Sequence, residues 1–107
     1  MIYLAMEKRL RIGILAYSGL GEMTLPEIDK VNFLPRITQP VLLINGRYDY
    51  SAPVETSLEP MFDVLGTPKK DKSLLIFDGG HTVPRNDLIR SVLDWLDHYF
   101  GPVPQAN

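Results

Sequence analysis

The chain contains no cysteine among its 107 residues. That excludes disulfides, cysteine-ligated zinc and a thiol nucleophile in this sequence. It also lacks any long hydrophobic run: its apolar stretches fall far short of the ~20 residues that a membrane helix needs. No block of Lys or Arg marks a nucleic-acid or anionic-membrane surface. Met1 to Met6 is apolar but has no basic segment before it and meets Glu7-Lys8-Arg9 at once, so it reads poorly as a signal peptide. Internal repeats and low-complexity tracts are absent. The expected protein is cytoplasmic, with no nucleic-acid or membrane partner and no cofactor.

What is present is ordinary globular material, 45% apolar and 22% charged with a net charge of −2. This length makes one small domain, residues 1–107, able to bury a core. Ile2, Met6 and Leu10 recur every fourth residue opposite Glu7, Lys8, Arg9 and Arg11, which predicts a short amphipathic helix. Ile12 to Tyr17, Val41 to Asn45 and Ser73 to Phe77 are apolar throughout, the pattern of parallel strands buried on both faces. Gly19 and Gly21 close the first of these. Between the first two strands, residues 19–39 form a long irregular connection with one helical turn expected at Leu34 to Ile37.

Pro53 to Leu65 carries Val54, Leu58, Met61, Phe62 and Leu65 at helical spacing and stops at Gly66. Pro60 must kink or divide that segment, because it removes a backbone donor and its ring clashes one turn back. The clearest helix is 84–100, with Leu88, Val92, Trp95, Leu96 and Tyr99 on one face, Pro84 in its first turn and Gly101 as its cap. The predicted architecture is a three-layer α/β fold of about three parallel strands with helices on both faces. The first strand, Ile12-Tyr17, has only one short helix before it and predicts an edge at which a second copy docks.

Ligands in parallel α/β sheets sit beyond the carboxyl ends of the strands. Tyr17, Ser18, Asp49 and His81 all follow predicted strand ends, so three loops would bring them to one rim. An acid and a histidine so placed suit proton transfer, the acid orienting the imidazole. The plainer alternatives are a turn or cap role for Asp49 and a solvated turn position for His81.

Two stretches tip the balance. Gly46-Arg47-Tyr48-Asp49-Tyr50-Ser51-Ala52-Pro53 resembles the loop that carries the triad acid in the α/β-hydrolase superfamily. Phe77-Asp78-Gly79-Gly80-His81 resembles its triad-histidine loop, and Leu93 to Phe100 the end of its last helix. The nearest branch is the dienelactone hydrolase and prolyl-oligopeptidase-like esterases. The resemblance runs from Ile12 to Gly101 and implies that Asp49 is the orienting acid and His81 the general base. It also implies that the family's Gly-x-Ser-x-Gly elbow lies ahead of residue 1, so that the chain is a truncated portion, about the last two fifths, of such a hydrolase. A symmetric oligomer would then cover the apolar surface left by the missing strands.

Ser18, in Ala16-Tyr17-Ser18-Gly19-Leu20-Gly21, is the candidate replacement nucleophile, although it has no elbow glycine before it and a turn role explains it as well. Ser51 and Ser57 read as capping or surface residues. Water activated by His81 is the other nucleophile. Tyr17, Tyr48, Tyr50 and Arg47 are candidate substrate-binding groups for an oxyanion or an anion. A metal-assisted route would draw on Asp49, Asp78 and His81, but no spacing typical of a zinc site occurs and no metal ligands are assigned. His98 belongs to the last helix, away from the rim. The expected function is hydrolysis of a small-molecule ester in a homo-oligomer; the alternatives are a non-catalytic folded or assembly module and a metal-assisted hydrolase.

Overall fold

The computed structural model describes residues 1–20 and 24–105; the Gly21 position falls outside them. Three strands, β1 (Gly13–Ala16), β2 (Val41–Gly46) and β3 (Lys72–Phe77), form one parallel sheet in the order β1-β2-β3. The register pairs Gly13 with Val41 and Val41 with Lys72. β2 is central and buried along its whole length, whereas the two outer strands are half-buried apart from the buried Gly13.

Side chains alternate across β2, so its residues feed two separate cores. Val41 and Leu43 pack with Leu34, Ile37, Met61 and Leu65 under the helices α1 (Ile2–Met6) and α2 (Glu59–Val64). Leu42 and Ile44 pack with Val83 and with Leu88, Val92 and Trp95 of the long helix α3 (Arg85–Phe100). Helices thus cover both faces, giving the three expected layers. Leu96 and Tyr99 are half-buried on the same helix, as its spacing predicts. Gly101 ends it with φ of 81°, a left-handed value that favours glycine, and its N–H bonds the Asp97 carbonyl.

Three elements depart from the sequence reading. α1 ends at Met6, before Leu10, so the expected 2-6-10 stripe never forms. Leu4 and Ala5 are buried instead, while Met6 and Leu10 are exposed. The Leu4 side chain lies so close to Gly13 that a Cβ there would collide with it. β1 is shorter than the apolar run, covering Gly13–Ala16 only, because Tyr17 turns the chain out of the strand with φ of 58°. Pro60 divides its segment as expected, but the first half, Val54–Leu58, is a π-helical turn. Pro60 then takes a position in the first turn of α2, where its missing N–H costs least.

The connection before β2 holds two 3₁₀ turns, Lys30–Asn32 and Leu34–Arg36, the second matching the expected single turn. Asp29 caps the first by accepting a hydrogen bond from the Val31 N–H. On its outer side β1 pairs with no strand among the described residues.

Candidate active site

The β2 chain leaves the sheet at Gly46 and turns at once, the Asp49 N–H reaching the Gly46 carbonyl. Beyond the strand ends the two loops stay joined. The Arg47 N–H donates to the Phe77 carbonyl at 2.8 Å and the Tyr48 N–H to the Gly79 carbonyl at 2.9 Å. This approach needs a glycine at 46: a Cβ there would lie on the carbonyl oxygens of Gly80 and Gly79. The histidine loop is therefore laid directly across the end of β2.

The result is a joined acid and imidazole. His81 Nδ1 is 2.9 Å from Asp49 Oδ2. The Asp49 side chain is wholly buried, whereas that of His81 is 56% exposed. A buried carboxylate requires partners, and Asp49 has several. The Ser51 N–H and Oγ–H both donate to Oδ1, at 2.9 and 2.7 Å, forming a tight Asx turn. Asn45 Nδ2, buried at the end of β2, donates to Oδ2 at 3.3 Å. Burial alone would raise the Asp49 pKa. The hydrogen bonds from Ser51 and His81, with the charge of a protonated His81, outweigh it and lower the pKa to about 2. Asp49 is thus held as a carboxylate, able to accept the Nδ1–H and leave Nε2 as the free nitrogen of His81.

Tyr17 supports the histidine loop from the residue after β1. Its hydroxyl oxygen accepts a hydrogen bond from the Val83 N–H at 3.2 Å, and its ring lies 5.4 Å from the His81 ring, centroid to centroid. It is the one residue other than glycine with a positive φ among those described. A bulky residue in that region is strained and persists only where its surroundings hold it.

A cleft of about 420 Å³ opens beside His81, lined by Tyr17, Ser18, Gly19, Leu20, Lys30, Ser51, Ala52 and His81. The expected rim of Tyr17, Ser18 and His81 is therefore assembled, with Asp49 buried behind it. No hydrogen bond joins Ser18 to His81; the serine that reaches the imidazole is Ser51, at 3.2 Å from Nδ1. Ser57 is buried and donates to the Leu20 carbonyl.

The structure does not bring Arg47, Tyr48 and Tyr50 into the cleft. Tyr48 and Tyr50 are 71% and 89% exposed, and Arg47 pairs with Asp78 at 3.3 Å. Sequence reasoning missed Asn45, Ser51 and Lys30. A polar residue closing an otherwise apolar strand was the available signal for Asn45. Among the described residues no three His, Asp or Glu side chains are grouped to hold a metal ion, and His98 stacks edge-on against Tyr99 on α3.

No family model and no curated protein matches the chain. Solved structures do. A zinc-bound, cold-adapted esterase from an Arctic intertidal metagenomic library is 29% identical, with a TM-score of 0.73 over 89% of this chain and 41% of its own. A Paleococcus ferrophilus monoacylglycerol lipase is also 29% identical, with a TM-score of 0.55 over 64% of this chain and 28% of its own. The chain is a portion of an α/β-hydrolase fold. A Thermus thermophilus protein, 19% identical over 92% of the chain and 48% of its own, shares that fold with a TM-score of 0.67. The chain spans about two fifths of the length of the esterase it matches. Its three strands and the helices on either face are the shared framework, with the acid and histidine loops at the carboxyl ends of β2 and β3.

Proposed function

We propose that the chain hydrolyses small-molecule esters, with His81 as general base and Asp49 as the group that orients it. One observation carries this reading: a wholly buried carboxylate, held ionised, bonded to the Nδ1 of a histidine that opens on a cleft. Such an arrangement fixes the tautomer and stabilises the imidazolium that forms when Nε2 takes a proton. The similarity to an esterase and a lipase supports the same bond type.

Water is the nucleophile favoured over Ser18, since no hydrogen bond links Ser18 to His81. Nε2 removes a proton from water as its oxygen bonds the ester carbon. The imidazolium then returns that proton to the departing alkoxide as the carbon–oxygen bond breaks, giving acid and alcohol. The Tyr17 hydroxyl accepts from the Val83 N–H and still has an O–H to offer as a donor, and we assign it to the developing oxyanion. The same lack of a hydroxyl on Nε2 favours a second reading, a non-catalytic module that retains the loops as part of its scaffold.

Hydrolysis of p-nitrophenyl acetate by purified chain decides between them. His81→Ala is expected to remove roughly 10²–10⁴-fold of the rate, and Asp49→Asn to lower it strongly by losing the imidazole's orientation. If Ser18→Ala matches His81→Ala, Ser18 replaces water as nucleophile. Equal rates for wild type and His81→Ala overturn the catalytic reading.

A further inference from the structure

The cleft carries a cation that the hydrolytic scheme does not use. Lys30 belongs to the 3₁₀ turn Lys30–Asn32, in the irregular connection ahead of β2, and lines the cleft together with His81 and Ser18. Among the described residues it is the one charged side chain in that lining other than a protonatable histidine, and none of them brings a carboxylate there. Its ammonium is placed by the fold: Nζ donates to the Gly19 carbonyl at 3.3 Å, one residue beyond Ser18. That bond uses one of three donor protons and leaves the others for a ligand.

The acid next to it in sequence does not neutralise it. Asp29 is committed to the Val31 N–H as the cap of the same turn, and no ion pair involves Lys30 among the described residues. The turn is itself secured, since Asn32 Nδ2 donates to the Pro26 carbonyl at 2.6 Å. A secured ammonium in the wall of a concave site, without an ion-pair partner among the described residues and in a chain of net charge −2, is a local positive field suited to an anion.

We propose that Lys30 is a specificity-determining anchor for a carboxylate, so that the cleft takes esters whose acyl part ends in a second, ionised carboxyl group. This rests on the hydrolytic reading for the word ester but not for the anion. The carboxylate would meet Lys30 while the ester carbonyl lies by His81 in the same cleft. Charge-assisted hydrogen bonds are about twice as strong as neutral ones, enough for roughly ten-fold or more in selectivity.

Two measurements test it separately. In the first, glutarate is titrated into the chain while the amide resonances of Gly19, Leu20 and His81 are followed by NMR. Glutarate is expected to shift them, binding at least ten-fold more weakly to Lys30→Gln, and Lys30→Arg is expected to retain it. Absent binding, or equal binding to wild type and Lys30→Gln, overturns the anchor. In the second, the rates on mono-p-nitrophenyl glutarate and p-nitrophenyl butyrate are compared. The ratio of the two kcat/KM values is expected to fall about ten-fold in Lys30→Gln; an unchanged ratio also overturns it. His81-dependent hydrolysis without Lys30-dependent glutarate binding removes the anchor and keeps the hydrolase. Lys30-dependent binding without His81-dependent hydrolysis does the reverse.

Discussion

Asp49 concentrates more interactions than any other polar side chain near the cleft, and its behaviour with pH follows from them. Its folded pKa of about 2 lies below its ordinary value of 3.8. The folded chain therefore binds fewer protons than the unfolded one between these values. The stabilisation is complete above about pH 4 and is lost as pH falls toward 2, so chemical-denaturation midpoints are expected to drop across that window. Asp49→Asn should flatten this dependence. Ser51→Ala removes one of the donors that hold Oδ1, and a ¹³C carboxyl titration is expected to show the Asp49 pKa moving upward. Asp49 and His81 were legible because each follows an apolar strand in a stretch with a recognisable loop pattern. Ser51 and Asn45 were not, since their roles depend on which way a turn folds a short polar side chain onto the acid. Lys30 left no periodic trace at all; its place in the cleft comes from a bond to Gly19 eleven residues earlier.

At the scale of elements, the contact between the end of β2 and the histidine loop is the least forgiving. Gly46→Ala would push a methyl group onto two backbone carbonyls, whereas at Gly80 a Cβ meets nothing within 4 Å. Gly46→Ala is therefore expected to destabilise by about 1–3 kcal/mol, as an overpacked site does. Gly80→Ala should stay within about 0.5 kcal/mol of wild type; thermal or urea unfolding of the pair checks both. The last helix has its own tie to the sheet, through Tyr99, whose hydroxyl donates to Asp71 at 3.1 Å. Burial, then the Asp71 hydrogen bond and charge, raise the Tyr99 pKa above 10. The folded state thus holds that proton longer, so stability is expected to decline as pH rises past 10, and Tyr99→Phe should reduce the decline. The long helix and the strands were readable from their apolar patterns. The π-helical turn was not, because helical spacing does not reveal which hydrogen-bond period a proline-broken segment adopts.

At the scale of the whole molecule, the outer side of β1 pairs with no strand among the described residues. Gly13 and Tyr17 direct their N–H groups to β2, so the alternation of a strand turns those of Ile14 and Ala16 away from it. An edge of that kind is a pairing template, and we infer that a second copy pairs there. Sedimentation is expected to show mass rising with concentration from monomer to dimer; a monomer throughout the range removes that assembly. The three-layer plan was legible because a central strand buried on both faces has to be almost wholly apolar, as Val41 to Ile44 is. The edge was legible too, but its occupant depends on surfaces that no local pattern encodes.

Asp49 and His81 are joined to each other through β2, β3 and the loops directly after them, and Asn45 and Ser51 lie on the same stretch of chain. Everything that aligns the imidazole with its acid is therefore contained between Val41 and Val83, with Tyr17 as the outside support. That stretch is a contiguous cassette of chain. A crossover placed ahead of Val41 would exchange the strand edge, Tyr17, Ser18 and Lys30 together, and so change the lining of the cleft. The bonded pair of Asp49 and His81 would be carried over intact.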